Sequence, residues 1–137
     1  LAELHALDHR QPGLADLGGL VESARSAKLA VTLEMRGDPE VPEGVGVAVF
    51  RMVQEALTNV IKHARATTCR VDIDSRPGEL RLEVTDDGSA GPKENGQGQG
   101  LIGMRERAAS IGGTLDLDDR PGGGTRLALT VPNSPET

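Results

Sequence analysis

Apolar residues along the chain repeat with two periods. Leu14, Leu17, Val21 and Ala24 recur every three or four residues and predict a helix over 14–27, which the Gly18-Gly19 pair weakens. AVTLEM (30–35) alternates Val31, Leu33 and Met35 and reads as a strand. From Val45 to Ala64 the helical signal is strongest, with Val49, Val53, Leu57, Val60 and Ala64 on one stripe. TCRVDID (68–74) and ELRLEVTD (79–86) alternate apolar residues with charge, and the Arg76-Pro77-Gly78 turn between them predicts a hairpin. A polar, glycine-rich loop over 88–99 precedes a helix over 101–111, which Gly112-Gly113 should cap. Strands over 114–118 and 125–131 follow, joined by a loop ending Pro121-Gly122-Gly123-Gly124. Helices on one face of a mixed, mostly antiparallel sheet make a two-layer α/β sandwich of the α+β class, with about three helices.

At the ends, LAELHALDHR (1–10) carries Leu1, Leu4 and Leu7 at helical spacing and stops at Gln11-Pro12-Gly13, as the tail of a preceding helix would. Residues 1–12 are therefore expected to be a helix tail and linker, 13–132 the domain, and 133–137 a frayed end. Because the first residue is Leu1, an excerpt from a longer chain is expected, with room for a membrane anchor elsewhere.

Composition narrows the function. At 137 residues, 36% apolar and 26% charged, the chain is long enough for one core without disulfides or metals. A net charge of −6 argues against nucleic acid as the main partner, and Phe50, the only aromatic residue, leaves no platform for base stacking. A single cysteine, Cys69, forms no internal disulfide and points to a reducing, cytoplasmic setting. No run of apolar residues reaches membrane-spanning length.

Three places carry candidate chemistry. Gly98-x-Gly100-x-x-Gly103 matches a dinucleotide fingerprint, but that fingerprint belongs in a tight turn straight after a strand, and here a dozen loop residues intervene. No GxxxxGK[ST] phosphate loop occurs either. On the long helix, Glu55, Asn59 and His63 follow at i, i+4 and i+8 with Lys62 beside them. A solvated helix face would look the same. Met52 and Ala56 flank the stripe, however, and an acid, a carboxamide, a cation and an imidazole together suit a phosphate-bearing ligand with Mg²⁺. Finally, period two carries Asp86 onto the apolar face of Leu80, Leu82 and Val84, where it either caps the Asp86-Asp87-Gly88 turn or accepts a hydrogen bond from a ligand amine.

QEALTNVIKHA (54–64), DDG (86–88), GQGLIGMRER (98–107) and GGGT (122–125) resemble, in that order, the N box and three glycine boxes of the ATP-binding catalytic domain of bacterial sensor histidine kinases. These belong to the GHKL superfamily of gyrase, Hsp90, histidine kinase and MutL, with its Bergerat-type fold. The resemblance covers roughly residues 14–132 and is nearest to the nitrate-sensor and DesK type. It implies ATP rather than NAD. It further implies Asn59 on Mg²⁺, Lys62 and His63 near the phosphates, Asp86 on adenine, and Gly88 letting the backbone approach the base. Gly98, Gly100 and Gly103 would shape a mobile lid, with Leu101 and Met104 beside the nucleotide and Thr125 below it. Glu55 would assist proton transfer, and Ile61, Met104 or Val84 would supply aliphatic contact with adenine.

The implied reaction is transfer of the γ-phosphoryl group to a histidine on a dimerisation domain, followed by a response regulator. The parent would be a homodimer, the isolated fragment a monomer. His5 and His9 do not lie in the family's phosphoacceptor pattern and are expected to be ordinary surface residues. Ala90 stands where relatives have glycine, and Gln99 where they often have histidine or an aromatic, so the lid entrance is expected to differ. A non-catalytic ATP-binding module and an anti-sigma-factor-like serine kinase are the alternatives, and a Rossmann oxidoreductase is a remote third.

Overall fold

The computed structural model describes residues 11–37, 40–88, 98–121 and 123–133, giving the backbone alone at His63, Ala64, 98–101 and Asn133. The expectations for residues 1–10, 89–97 and 134–137 lie outside these. A 3-10 turn at Leu14–Asp16 leads into α1 (Leu17–Ser26), followed by β1 (Ala30–Gly37) and α2 (Glu43–Asn59), which runs on into a π-helical turn at Val60–Ala64. Next come β2 (Thr68–Arg76), β3 (Gly78–Asp86), α3 (Gly98–Ser110), β4 (Thr114–Asp119) and β5 (Thr125–Asn133).

The five strands form one sheet in the order β1-β2-β3-β5-β4, parallel between β1 and β2 and antiparallel elsewhere. Two links need a crossover: the long helix α2 carries the chain from β1 to the parallel β2, and α3 carries it from β3 past the position of β5 to β4, which runs parallel to β3. The alternating apolar residues of the central strands, Val71, Ile73, Leu80, Leu82, Val84, Leu127, Leu129 and Val131, are all buried. They form one cluster with Leu17 and Val21 of α1, Val49, Met52 and Val53 of α2, and Met104 and Ala108 of α3. The other face of the sheet is polar, with Arg126 bridging Glu83 and Asp118 and Arg70 paired with Asp72. Exposed ion pairs of this kind contribute little, so burial on the helix side holds the layers together.

Four expectations change in detail. Alternation fades toward the end of β1, an edge strand, where Leu33 is half-buried and Met35 is 38% exposed. Gly18 and Gly19 do not break α1; both face solvent. β5 continues through Asn133, which pairs with Gly78, so residue 133 belongs to the sheet rather than to the expected frayed end. α3 starts at Gly98 rather than Leu101, and it ends as expected: Gly112 takes φ +74° and the Gly113 N–H reaches back to the Ala108 carbonyl at 2.8 Å.

Candidate functional site

Asp86 ends β3, the middle strand. It pairs with Cys69 on β2 and Thr125 on β5, a row that continues the buried parity of Val84, Val71 and Leu127. The side chain is only 5% exposed. Burial pushes its carboxyl above the usual range; hydrogen bonding from the Gly88 and Thr125 backbone and the charge of Arg120 pull the other way. The Gly88 N–H donates to Asp86 Oδ1 at 2.7 Å. The turn-capping role weighed from the sequence is therefore present. It does not exhaust the group, because a carboxylate offers about four lone-pair sites.

The loop before β5 closes over this strand end. Arg120 donates to the Asp86 carbonyl at 3.0 Å, and its own N–H binds the Gly124 carbonyl at 2.9 Å. Gly124 has φ +100°, and a Cβ there would stand 1.9 Å from the Asp86 carbonyl oxygen, so no other residue fits. Asp87 is tied to the start of β2: the Thr67 and Thr68 N–H groups donate to Oδ1 at 2.9 Å each, and the Thr67 hydroxyl to Oδ2 at 2.8 Å. These donors hold the Asp87 carboxyl well below the ordinary carboxylate range.

The helix-borne candidates are less constrained. Glu55 and Lys62 are exposed, and Asn59 is half-buried at the last α-helical position of α2. A regular stripe through Glu55, Asn59 and His63 does not survive. After Asn59 the backbone widens into the π-helical turn, whose i→i+5 bonding lowers the rotation per residue and takes position 63 off the line of the first two. Such turns are frequent at functional sites, and this one ends abruptly at Arg65, a non-glycine residue at φ +55°. Only Arg65, Ala66 and Thr67 separate Ala64 from β2, a reach of no more than about 15 Å. The polar end of α2 therefore lies at the sheet end that Asp86 occupies.

The glycine motif is part of α3, with Gly98, Gly100 and Leu101 in its first turn. Gly103 follows in the helix, and a Cβ there would touch nothing. Arg105 donates to the Leu115 carbonyl at 3.2 Å, fastening α3 to β4. Met104 is built into the core, whereas Ile61 and Ile102 are exposed, Ile102 by 58%.

The structure thus gathers Asp86, Gly88 and Thr125 at one strand end and sets Glu55, Asn59 and Lys62 on the helix that delivers the chain there. No bond joins the two groups among the described residues. Sequence reasoning missed Asp87, Arg120 and the Thr67-Thr68 pair. The opposite parity of Asp87 to Asp86 was a usable signal; Arg120 offered none.

A two-layer domain whose sheet is linked by two helical crossovers, with a buried carboxylate at the end of its central strand and a glycine-bearing helix beside it, defines a class of nucleotide-binding ATPase domain. The chain belongs to the histidine kinase-, DNA gyrase B- and HSP90-like ATPase family, which matches residues 44–135. It is 44% identical over 84 residues to the sensor histidine kinase DesK of Bacillus subtilis, covering 60% of this chain and 22% of that protein. The blue-light activated histidine kinase of Erythrobacter litoralis shares the fold, with a TM-score of 0.68 at 24% identity over 92% of this chain and 47% of the other. The ATP-binding domain of PrrB from Mycobacterium tuberculosis has a TM-score of 0.61 at 27% identity, covering 84% of this chain and 92% of its own. The chain spans between 21% and 35% of the curated relatives it matches. Among the described residues no helix is long and apolar enough to cross a membrane.

Proposed function

We propose that residues 13–132 form the catalytic domain of a two-component sensor histidine kinase, transferring the γ-phosphoryl group of Mg·ATP to a histidine on a separate dimerisation domain. The observation that carries this reading is the buried Asp86 carboxylate, kept at the sheet end with acceptor capacity to spare, where it suits the exocyclic amine of adenine. Gly88 and Thr125 flank it and would line the base side, with Met104 as part of the apolar floor.

Phosphate and metal fall to the helices. Among the described residues no three His, Cys, Asp or Glu side chains gather into a cation cage. Mg²⁺ fits such a site, because it ordinarily takes one or two protein oxygens and leaves the rest of its shell to phosphates and water. The Asn59 carboxamide at the end of α2 would supply such an oxygen, and Lys62 and His63 of the following turn would meet the phosphates. When bound, the ion neutralises charge that builds on the transferring group. Gly98, Gly100, Leu101 and Gly103 open α3, whose N-terminal amides favour an anion. In the reaction a histidine nitrogen of the partner domain bonds to the γ-phosphorus as the bond to the β–γ bridging oxygen breaks and ADP leaves. Glu55, exposed one helical turn before Asn59, would take up the histidine proton. A response regulator then takes the phosphoryl group. Use of ATP and the lone, reduced Cys69 support a cytoplasmic location for the domain, with room for a membrane anchor elsewhere in the parent protein.

The test is to incubate the chain with γ-labelled Mg·ATP and a dimerisation domain of a sensor kinase, then measure acid-labile phosphohistidine. Label should appear on the added domain, and Asn59→Ala should reduce it by about a hundredfold with the fold intact. Binding of ATP without transfer would mark a non-catalytic module instead; absence of ATP binding would overturn the reading.

A further inference from the structure

Asp86 and Gly88, the two groups assigned to the base, are joined through Asp87, whose side chain bonds instead to the residues that open the neighbouring strand β2. Its carboxylate collects three donors from Thr67 and Thr68, and its own N–H binds the Thr68 carbonyl at 3.3 Å. Thr67 is anchored a second time, since its carbonyl accepts the Ala30 N–H at 3.0 Å where β1 begins. Residues 67–68 are thus a node tied to β1 and β3. The node lies three residues beyond the π-helical turn that carries Lys62 and His63.

We propose that Asp87 is a positioning residue of the nucleotide site: by clasping Thr67 and Thr68 it fixes the strand end bearing Asp86 and Gly88 against the exit of α2, and so sets how sharply adenine is discriminated. The inference rests on the ATP reading above. A change in the position of Asp87 moves the Asp86 carboxylate and the Gly88 amide together, because they are its covalent neighbours. It also loosens the junction through which the phosphate-side helix is held. An asparagine here keeps the pattern without the charge, its oxygen accepting the two N–H groups and its nitrogen donating to the Thr67 hydroxyl. Alanine removes every side-chain bond. The carboxyl stays ionised throughout the working range, so the clasp imposes no pH dependence near neutrality.

The experiment is calorimetric titration of the full chain with Mg·ATP and with Mg·ITP, in which a carbonyl replaces the exocyclic amine. The parent should prefer ATP. Asp87→Ala should shrink that preference about tenfold, and Asp87→Asn should restore most of it. Leu115→Ala, a core truncation on β4 outside the site, controls for general destabilisation and should leave the preference unchanged. Should Asp87→Ala fail to fold, Thr67→Val removes the hydroxyl bond alone and should cost about two- to threefold. The clasp is overturned, with the ATP reading intact, if the parent prefers ATP and the folded variants prefer it equally, or if Leu115→Ala erodes the preference as much as they do. A parent that binds neither nucleotide overturns both.

Discussion

At the end of β3, the Asp86, Asp87 and Gly124 backbones are held by hydrogen bonds to β2, β5 and Arg120, whereas at the end of α2 Glu55 and Lys62 stand exposed and Asn59 half-buried. The difference is one of timing. The strand side is organised without a ligand, which on the proposed reading suits discrimination of a base, since groups already in place lose little freedom on binding. The helix side carries its charges into solvent, where on the proposed reading phosphates and a cation would complete the arrangement. Asp86 and Asp87 repeat the contrast within two residues: burial raises one carboxyl and donors lower the other.

The comparison breaks most completely at Gly124. Gly124→Ala should cost about 2–4 kcal/mol of stability, because its Cβ and the Asp86 carbonyl oxygen cannot both keep their places. Denaturant unfolding would measure this, and ATP binding should be lost with the strand end.

Asp86→Asn sharpens the contrast with an opposite-signed effect on stability. A carboxyl whose folded pKa lies above its unfolded value of 3.8 favours the fold when protonated, and that favour is lost as pH rises through the unfolded and then the folded value. At pH 7 the asparagine variant should therefore melt above the parent while binding ATP about tenfold more weakly. Asp87 has the reverse sign: its contribution is complete above 3.8 and is lost as pH falls below it. Melting curves from pH 3 to 8 should show the Asp86→Asn advantage vanish toward acid and the Asp87→Asn deficit shrink.

The smallest effect belongs to the helix side. Gly103→Ala should stabilise the ligand-free chain by about 0.5–1 kcal/mol, because the site is helical and a Cβ there meets nothing. If the glycine serves close approach of the triphosphate, the gain should disappear in thermal melts with saturating Mg·ATP.

Much of this was legible beforehand because it rests on periodicity. Alternation placed Asp86 on the same face as Leu82 and Val84, and the helical pattern set Met52 and Ala56 at the flanks of the polar stripe, where both are buried. Where local rules compete, the reading slipped. Nothing in VIKHA announces a π-helical turn, because Val60 and Ala64 fit the α-helical stripe of Val49, Val53 and Leu57 equally well. The start of α3 was likewise misplaced, since glycine propensity argues against the helical turn that Gly98 and Gly100 adopt.

The sequence by itself determined the order of elements, the buried face of each and the residue types available for chemistry, because these follow from side-chain period and hydrophobicity along a single segment. Tertiary structure alone decided that Asp87 meets Thr67, that Gly124 presses on Asp86 and that Arg120 reaches back to β3. Those contacts join residues far apart in the chain, and their geometry comes from strand register and loop closure, which no local pattern encodes.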